Sequence, residues 1–274
     1  MNTKPRYAVF GNPIAHSKSP QIHLQFARQE GASIEYERIL AEPGQFAAAA
    51  ARFFAEGGAG ANVTVPFKTD AYDWVNEHSE RARTAGAVNT LILLSDGRVR
   101  GDNTDGIGLV NDIQQRLGFA IGGKRVLILG AGGAARGSVL PVAEAGPARL
   151  VIVNRTQARA EALREQFAGV AAVDVEPCDG LAGQRFDLVI NATSAGLHGE
   201  SLPLPAGIFA PGALAYDMVY GNTETPFMAA ARALGASRVS DGLGMLVGQA
   251  AESFFLWRGV RPDTAPVLQM LQGS

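Results

Sequence analysis

The 274-residue chain is 47% hydrophobic and 18% charged, which excludes a disordered protein and suits a folded one of about two domains. A net charge of −2 with no charged block excludes a nucleic-acid stripe or a membrane-surface patch and leaves a small molecule as the expected ligand. The single cysteine, Cys178, cannot form an intrachain disulfide and reads as a small half-buried residue, not a nucleophile. The N-terminal apolar stretch Tyr7 to Phe10 is too short for a signal core, and no apolar run reaches the roughly 18 residues of a membrane span. A cytoplasmic location is the expectation.

The first hundred residues alternate strand and helix signals. Tyr7 to Phe10 reads as a strand ending at Gly11-Asn12-Pro13. Ser19 as N-cap with Pro20 behind it predicts a helix to about Glu30, with Gly31 past its end. Glu35 to Leu40 reads as a strand, and the alanine-rich stretch Gln45 to Glu56 as a helix stopped by Gly57-Gly58. Ala61 to Val65 reads as a strand stopped by Pro66, with Asn62 and Thr64 on one face and a helix following from about Thr69. Thr90 to Leu94 and Arg98 to Arg100 flank Asp96-Gly97, a hairpin signal.

A second α/β series starts near residue 105. Arg125 to Leu129 carries a continuous apolar run behind its first residue, as in a strand buried on both faces. Leu150 to Val153, Ala171 to Val175, Asp187 to Ile190, Ala213 to Tyr216 and Arg238-Val239 continue it, with helical patterns between most of them, and a last long helix runs from Leu243 to about Trp257. The reading is α/β: a substrate-binding α/β domain plus a Rossmann-type doubly wound parallel sheet. The expected division is 1–104 with a returning helix, 243–274, and 105–242 between them. Two crossings imply a hinge and a cleft between lobes. The terminal Gln272-Gly273-Ser274 is expected to fray.

Gly130-Ala131-Gly132-Gly133-Ala134-Ala135 follows the apolar strand directly and opens a helix, which is the dinucleotide pattern in its required context. Gly130 allows the turn, Gly132 lets backbone N–H groups approach the pyrophosphate, and Ala135 keeps helix and sheet close. NAD sites place a carboxylate at the end of the next strand. Here the chain reads Asn154-Arg155-Thr156, with Arg159 following. Arg155 can pair with a 2′-phosphate and Thr156 can donate to it, so NADP is expected over NAD. The plainer reading, a capping Thr156 beside a solvated Arg155, is compatible with that.

Ser17-Lys18-Ser19, Asn62 to Lys68, Asn89-Thr90 and Gly101 to Gly106 are polar segments in the first half. Singly, each has an ordinary explanation as cap, turn or solvated side chain. Together they supply hydroxyls, amides, an amine and a carboxylate, which suits a polyhydroxylated substrate. His16, His23, His78 and His198 show no ligand spacing, so no metal is expected.

Gly11 to Pro20, Asn62 to Lys68, Ala85 to Thr90, Gly101 to Gly106, Gly130 to Ala135, Asn154 to Thr156, Asn191 to Gly196, Tyr216 to Tyr220 and Asp241 to Gln249 resemble, in order, the shikimate dehydrogenase family. The resemblance spans nearly the whole chain. It implies reversible NADPH-dependent reduction of 3-dehydroshikimate to shikimate, in aromatic amino acid biosynthesis, with Lys68 and Asp105 as the catalytic pair. Ser17, Ser19, Thr64, Asn89, Asp105, Tyr220 and Gln249 would contact substrate, with Asn62 close by. Gly130, Ala131, Gly132, Gly133, Ala134, Asn154, Arg155, Thr156, Arg159, Met218 and Gly242 would line the NADP site, and Thr193 and Met245 would lie along the nicotinamide path. Glu80 matches a position that contacts cofactor in some relatives, although an exposed helical Glu is the simpler reading. The competing readings are a quinate/shikimate dehydrogenase using NAD and a non-catalytic NADP sensor on the same fold. Arg155 argues against the first, and the Lys68/Asp105 pair against the second. A monomer or homodimer, acting on a small molecule without nucleic acid or membrane, completes the expectation.

Overall fold

Tyr7, Ala8, Val9 and Phe10 are buried within β1 (Arg6–Gly11), the strand around which the first half of the chain is organised. The computed structural model describes residues 4–193 and 203–273; Ser194, Ala195, Gly196, His198 and Ser274 lie outside the described residues. Contacts divide the chain into two units, Met1–Gly108 with Val247–Ser274, and Leu109–Leu246.

In the first unit β1 is followed by α1 (Ser19–Gln29), β2 (Glu35–Leu40), α2 (Phe46–Ala55), β3 (Gly58–Val63), α3 (Lys68–Trp74), β4 (Glu77–His78), α4 (Glu80–Ala85), β5 (Thr90–Leu93) and β6 (Val99–Asp102). α5 (Asp105–Asn111) then leads out of this unit. The sheet order is β2-β1-β3-β5-β6-β4. β1 pairs in parallel with β2 and β3, and β5 is antiparallel to both β3 and β6, so the sheet is mixed. Phe10, Phe46, Phe53 and Phe67 fill one face, Phe10 meeting Phe46 and Phe53 edge-on at 5.6 and 5.8 Å.

β3 begins at Gly58 and ends at Val63, not 61–65 as the sequence implies. Gly57, at φ +93, ends α2, and the next glycine already pairs. The small residues are there for packing. A Cβ on Gly58 would stand 2.2 Å from the Phe53 ring, and one on Gly60 would stand 2.6 Å from the Trp257 indole. Val65, 64% exposed, is beyond the strand. Lys18, without a side-chain bond, is the cap of α1; Ser19 is already helical and its N–H donates to Ser17 Oγ at 3.3 Å. The sequence reading also lacks β4, gives α4 only as a helical position at Glu80, and runs the returning helix on to 274 without the break that sets off α10 (Ala265–Gln272).

The second unit contains β7 (Arg125–Leu129), α6 (Gly133–Glu144), β8 (Arg149–Val153), α7 (Gln157–Gln166), β9 (Asp174–Val175), β10 (Phe186–Asn191), β11 (Phe209–Asp217), α8 (Pro226–Ala233) and β12 (Arg238–Ser240). Its sheet is wholly parallel, in the order β12-β11-β10-β7-β8-β9. Strand alternation sends Val126, Ile128, Leu150, Ile152, Leu188 and Ile190 into one core, and Leu127, Leu129, Val151, Val153 and Val189 into another on the opposite face. This is the doubly wound order, and it reverses direction between β7 and β10, where such sheets bind nucleotides. The strand expected over Ala171 to Val175 pairs only at Asp174–Val175. α9 (Leu243–Arg258) starts in this unit and returns the chain to the first.

His23 on α1 is fully buried, stacked on Tyr36 at 4.6 Å with Phe254 and Trp257 beside it. Neither ring nitrogen makes a hydrogen bond. Burial outweighs the upward pull of the neighbouring Asn62 amide and pushes the imidazole pKa down to about 3. Unfolded His takes up a proton below about pH 6.5, while folded His23 stays neutral until about pH 3. Stability therefore falls as pH drops through that window, by about 1.4 kcal/mol per pH unit from this group. Urea unfolding between pH 7 and pH 4 checks this: His23→Leu should show a shallower acid slope than wild type, and parallel slopes would contradict it.

Candidate active site

In the first unit, Lys68 opens α3 and Asp105 opens α5. Lys68 Nζ donates to Asp105 Oδ2 at 2.6 Å, and the two side chains are 27% and 10% exposed. The amine is thus reachable from solvent while the carboxylate is nearly enclosed. Asn89, just before β5, donates from Nδ2 to Asp105 Oδ1 at 2.8 Å, so each carboxylate oxygen has its own donor. Asn89 Nδ2 also lies 3.5 Å from Gln249 Oε1 on α9, which can come this near because Gly108 has no side chain; a Cβ there would stand 2.5 Å from the Gln249 backbone nitrogen.

Ser17 and Ser19 lie together before and at the start of α1, their hydroxyls 3.2 Å apart, with Arg38 donating to the Ser17 carbonyl at 2.6 Å. Thr64 follows β3 and packs over Gly11, where a Cβ would be 2.6 Å from Thr64 Cγ2. Asn62 faces inward: it accepts from Tyr36 Oη at 2.7 Å and donates to Ser253 Oγ at 3.0 Å, so its amide is engaged within the protein. Tyr220 belongs to the second unit, exposed beyond β11, and is outside this hydrogen-bonded group. Glu80 is exposed at the start of α4.

In the second unit, Gly130 ends β7 with φ +108, and a Cβ on it would stand 3.2 Å from the Ala192 carbonyl. Gly132 caps α6 without any side chain, and nothing lies within 4 Å of where Cβ atoms on Gly132 and Gly133 would be. Both glycines are exposed, which leaves room for an anion beside the start of α6. A cavity of about 320 Å³ adjoins this loop, lined by Ala131, Gly132, Arg136, Arg159, Ala162, Leu163 and Gln166. Arg136 is absent from the sequence reading; its Nε is buried with no hydrogen-bond partner. Its position one turn past the glycines was the available signal. Arg155 is exposed after β8, Asn154 Nδ2 donates to the Thr156 carbonyl at 2.8 Å, and Thr156 caps α7 by position, without a side-chain bond to the helix. An arginine-lined cavity beside an exposed helix start fits a phosphorylated dinucleotide.

Thr193, Met218 and Gly242 gather at the ends of the neighbouring strands. Thr193 Oγ1 donates to Asn191 Oδ1 at 2.7 Å, and its methyl is the nearest atom to a Cβ on Gly130, at 3.1 Å. A Cβ on Gly242 would stand 2.3 Å from the Met218 carbonyl oxygen, so only glycine fits. Met245, on the first turn of α9, packs into the core below. Asp217, unflagged by the sequence reading, anchors this corner: it accepts from Asn191 Nδ2, Thr225 Oγ1 and the Val219 N–H. Burial raises its pKa against the pull of those donors. Among the described residues no cluster of His, Cys, Asp or Glu could hold a metal.

A doubly wound nucleotide unit joined to a second α/β unit with a lysine–carboxylate pair defines a dinucleotide-dependent oxidoreductase architecture. Family models agree along the chain. Residues 9–91 match the shikimate dehydrogenase substrate binding domain, 112–198 the shikimate / quinate 5-dehydrogenase family, and 242–272 the shikimate 5'-dehydrogenase C-terminal domain. The chain is 56% identical over 270 residues, 98% of its length and 99% of the relative's, to the shikimate dehydrogenase (NADP(+)) of Methylobacillus flagellatus. It is 58% identical over 269 residues to that of Dechloromonas aromatica, covering 98% of this chain and 97% of the other. Shikimate 5-dehydrogenase of Thermus thermophilus, solved with NADP(H) and shikimate, superposes with a TM-score of 0.86 at 33% identity, over 97% of each chain. The chain belongs to the shikimate dehydrogenase family.

The glycine geometry gives a direct test by urea unfolding. Gly130→Ala should cost about 1–2 kcal/mol of stability, since its φ is unfavourable for any L side chain. Gly133→Ala, at the first helical position of α6 with nothing within 4 Å of the added methyl, should leave stability unchanged or raise it by up to about 1 kcal/mol. Equal losses at the two positions would contradict the assignment.

Proposed function

We propose that this chain catalyses the reversible NADPH-dependent reduction of 3-dehydroshikimate to shikimate, in the biosynthesis of chorismate and aromatic amino acids. The observation that carries the mechanism is the 2.6 Å contact between Lys68 Nζ and Asp105 Oδ2. When bound, NADPH would supply the hydride for reduction and NADP+ would accept it in the reverse direction. Reduction of a ketone builds negative charge on its oxygen. The Lys68 ammonium stabilises that charge and delivers the proton, and in the reverse direction the Lys68/Asp105 pair takes the proton from the alcohol as one coupled unit. Asp105 holds the ammonium in place and offers its carboxylate to a substrate hydroxyl.

Ser17, Ser19, Thr64, Asn89, Tyr220 and Gln249 are the proposed hydroxyl and carboxylate contacts of the substrate, with Asn62 bracing the strand behind them. Gly130 to Ala134 would hold the pyrophosphate on the α6 N-terminus. Asn154, Arg155, Thr156 and Arg159 would take the 2′-phosphate end, and Thr193, Met218, Gly242 and Met245 the nicotinamide end. The first unit, through its returning helix, is then the substrate domain and the second the NADP domain. No described helix is long and apolar enough to cross a membrane, and a cytoplasmic monomer or homodimer goes with this reading.

Mixing protein, NADP and shikimate and following the absorbance of the reduced nicotinamide tests the activity. Turnover supports the proposal. Turnover only with quinate and NAD would make the chain a quinate dehydrogenase, and none with either would leave a binding protein. Lys68→Ala should lower kcat by about 10²–10⁴-fold with a few-fold change in KM. A large KM rise at constant kcat would make Lys68 a binding residue instead. Arg155→Ala should raise KM for NADP about tenfold or more and leave that for NAD nearly unchanged. An unchanged NADP/NAD preference would remove Arg155 from the 2′-phosphate site.

A further inference from the structure

Behind Asn89 lies a knot of three hydroxyls, on Thr90, Thr104 and Ser253, each fully buried. They come from β5, the loop before α5, and α9. Ser253 Oγ is 2.8 Å from Thr90 Oγ1 and 3.2 Å from Thr104 Oγ1. Asn62 Nδ2 donates to Ser253 Oγ at 3.0 Å, and Ser253 donates back along α9 to the Gln249 carbonyl at 3.0 Å. On the other side, the Asn89 side-chain oxygen accepts from the Thr104 N–H at 2.9 Å and from Thr90 Oγ1 at 2.9 Å.

We infer that Ser253, with Thr90 and Thr104, is a positioning cluster that fixes which way the Asn89 amide faces, and through it the Asp105 carboxylate. With its oxygen held inward, Asn89 must present Nδ2 outward, where it reaches Asp105 Oδ1 at 2.8 Å and Thr104 Oγ1 at 3.0 Å. The flipped amide would set Nδ2 against the Thr104 N–H and set oxygen against a carboxylate oxygen, leaving buried donors and acceptors unmatched. One arrangement of protons satisfies every member. Asn62 and Thr104 donate to Ser253, Ser253 donates to Thr90 with the Gln249 carbonyl as the second, longer acceptor of the same proton, Thr90 donates to the Asn89 oxygen, and Asn89 donates to both Asp105 and Thr104. Asp105 then has one oxygen occupied by Asn89 and the other aimed at Lys68. Removing the Ser253 hydroxyl strands the Asn62 amide and frees the two threonine hydroxyls to turn, which loosens Asn89 and lets Asp105 drift from Lys68. Ser253 thus acts through its neighbours and touches no reacting atom. The inference rests on Lys68 and Asp105 being the catalytic pair.

A double-mutant cycle on shikimate oxidation tests it, with melting temperatures confirming that each variant is folded. Ser253→Ala and Thr90→Val should each lower kcat/KM about tenfold, while Thr90→Ser, which keeps the hydroxyl, should stay within about threefold of wild type. In an Asn89→Ala background both losses should shrink below about twofold, because the group they act through is gone. If Ser253→Ala does not fold, the Thr90→Val and Thr90→Ser pair carries the test. Losses that multiply unchanged onto Asn89→Ala, or a Thr90→Ser variant as slow as Thr90→Val, would overturn the positioning role. Absence of wild-type turnover would overturn the reaction assignment and this inference with it, whereas wild-type turnover with additive losses would overturn the inference alone.

Discussion

A carboxylate that is nearly enclosed must have its charge met by neighbours, and in the first unit that requirement falls on Asp105. Lys68 meets one oxygen and Asn89 the other. Each of these three residues is set by a different part of the sheet: Lys68 by the turn out of β3, Asn89 by the entry to β5, and Asp105 by the exit from β6. A mixed sheet suits this. The antiparallel pairing of β5 with β3 and β6 puts the start of one strand beside the ends of the other two. Burial makes the arrangement sensitive, since each unpaired donor or acceptor there costs about 1–3 kcal/mol.

In the second unit the governing constraint is steric. The parallel sheet brings the ends of β7, β10 and β11 to one edge, and β7 and β10 flank its switch point. Backbone segments meet there closely enough that side chains are excluded at Gly130 and Gly242. Gly132 and Gly133 differ, because no protein atom lies where their side chains would go. Two glycines serve the protein's own packing, and the other two leave open the space at the start of α6 that the proposed pyrophosphate site would use.

The sequence made legible what is encoded locally. β7 was visible because four apolar residues in a row, Val126 to Leu129, suit a strand covered on both faces, and the glycines behind it declared the turn and helix. The hairpin at Asp96-Gly97 and the strand Glu35–Leu40 were equally plain. What escaped depends on partners distant in the chain. Gly58 and Gly60 look like breakers until Phe53 and Trp257 are seen lying on them. Ser253 reads as an ordinary helical serine, and its role depends on Thr90 and Thr104 arriving from far upstream. Arg136 is one basic residue among many until its unpartnered nitrogen is found beside the glycine loop. Asn62 was legible as a polar strand residue, but its inward direction follows from Tyr36 and Ser253 and not from strand alternation.

The central claim is that the Lys68–Asp105 pair performs the proton transfer that accompanies reduction. Single-turnover reduction of 3-dehydroshikimate by the NADPH-loaded Asp105→Asn variant, with shikimate affinity measured in parallel by calorimetry, bears on it most directly. The substitution keeps the size of the side chain and removes its charge. A chemical step slowed by about 10²-fold or more, with shikimate affinity within about tenfold of wild type, is the expected result. A single-turnover rate equal to wild type would show that the pair is not the proton-transfer machinery.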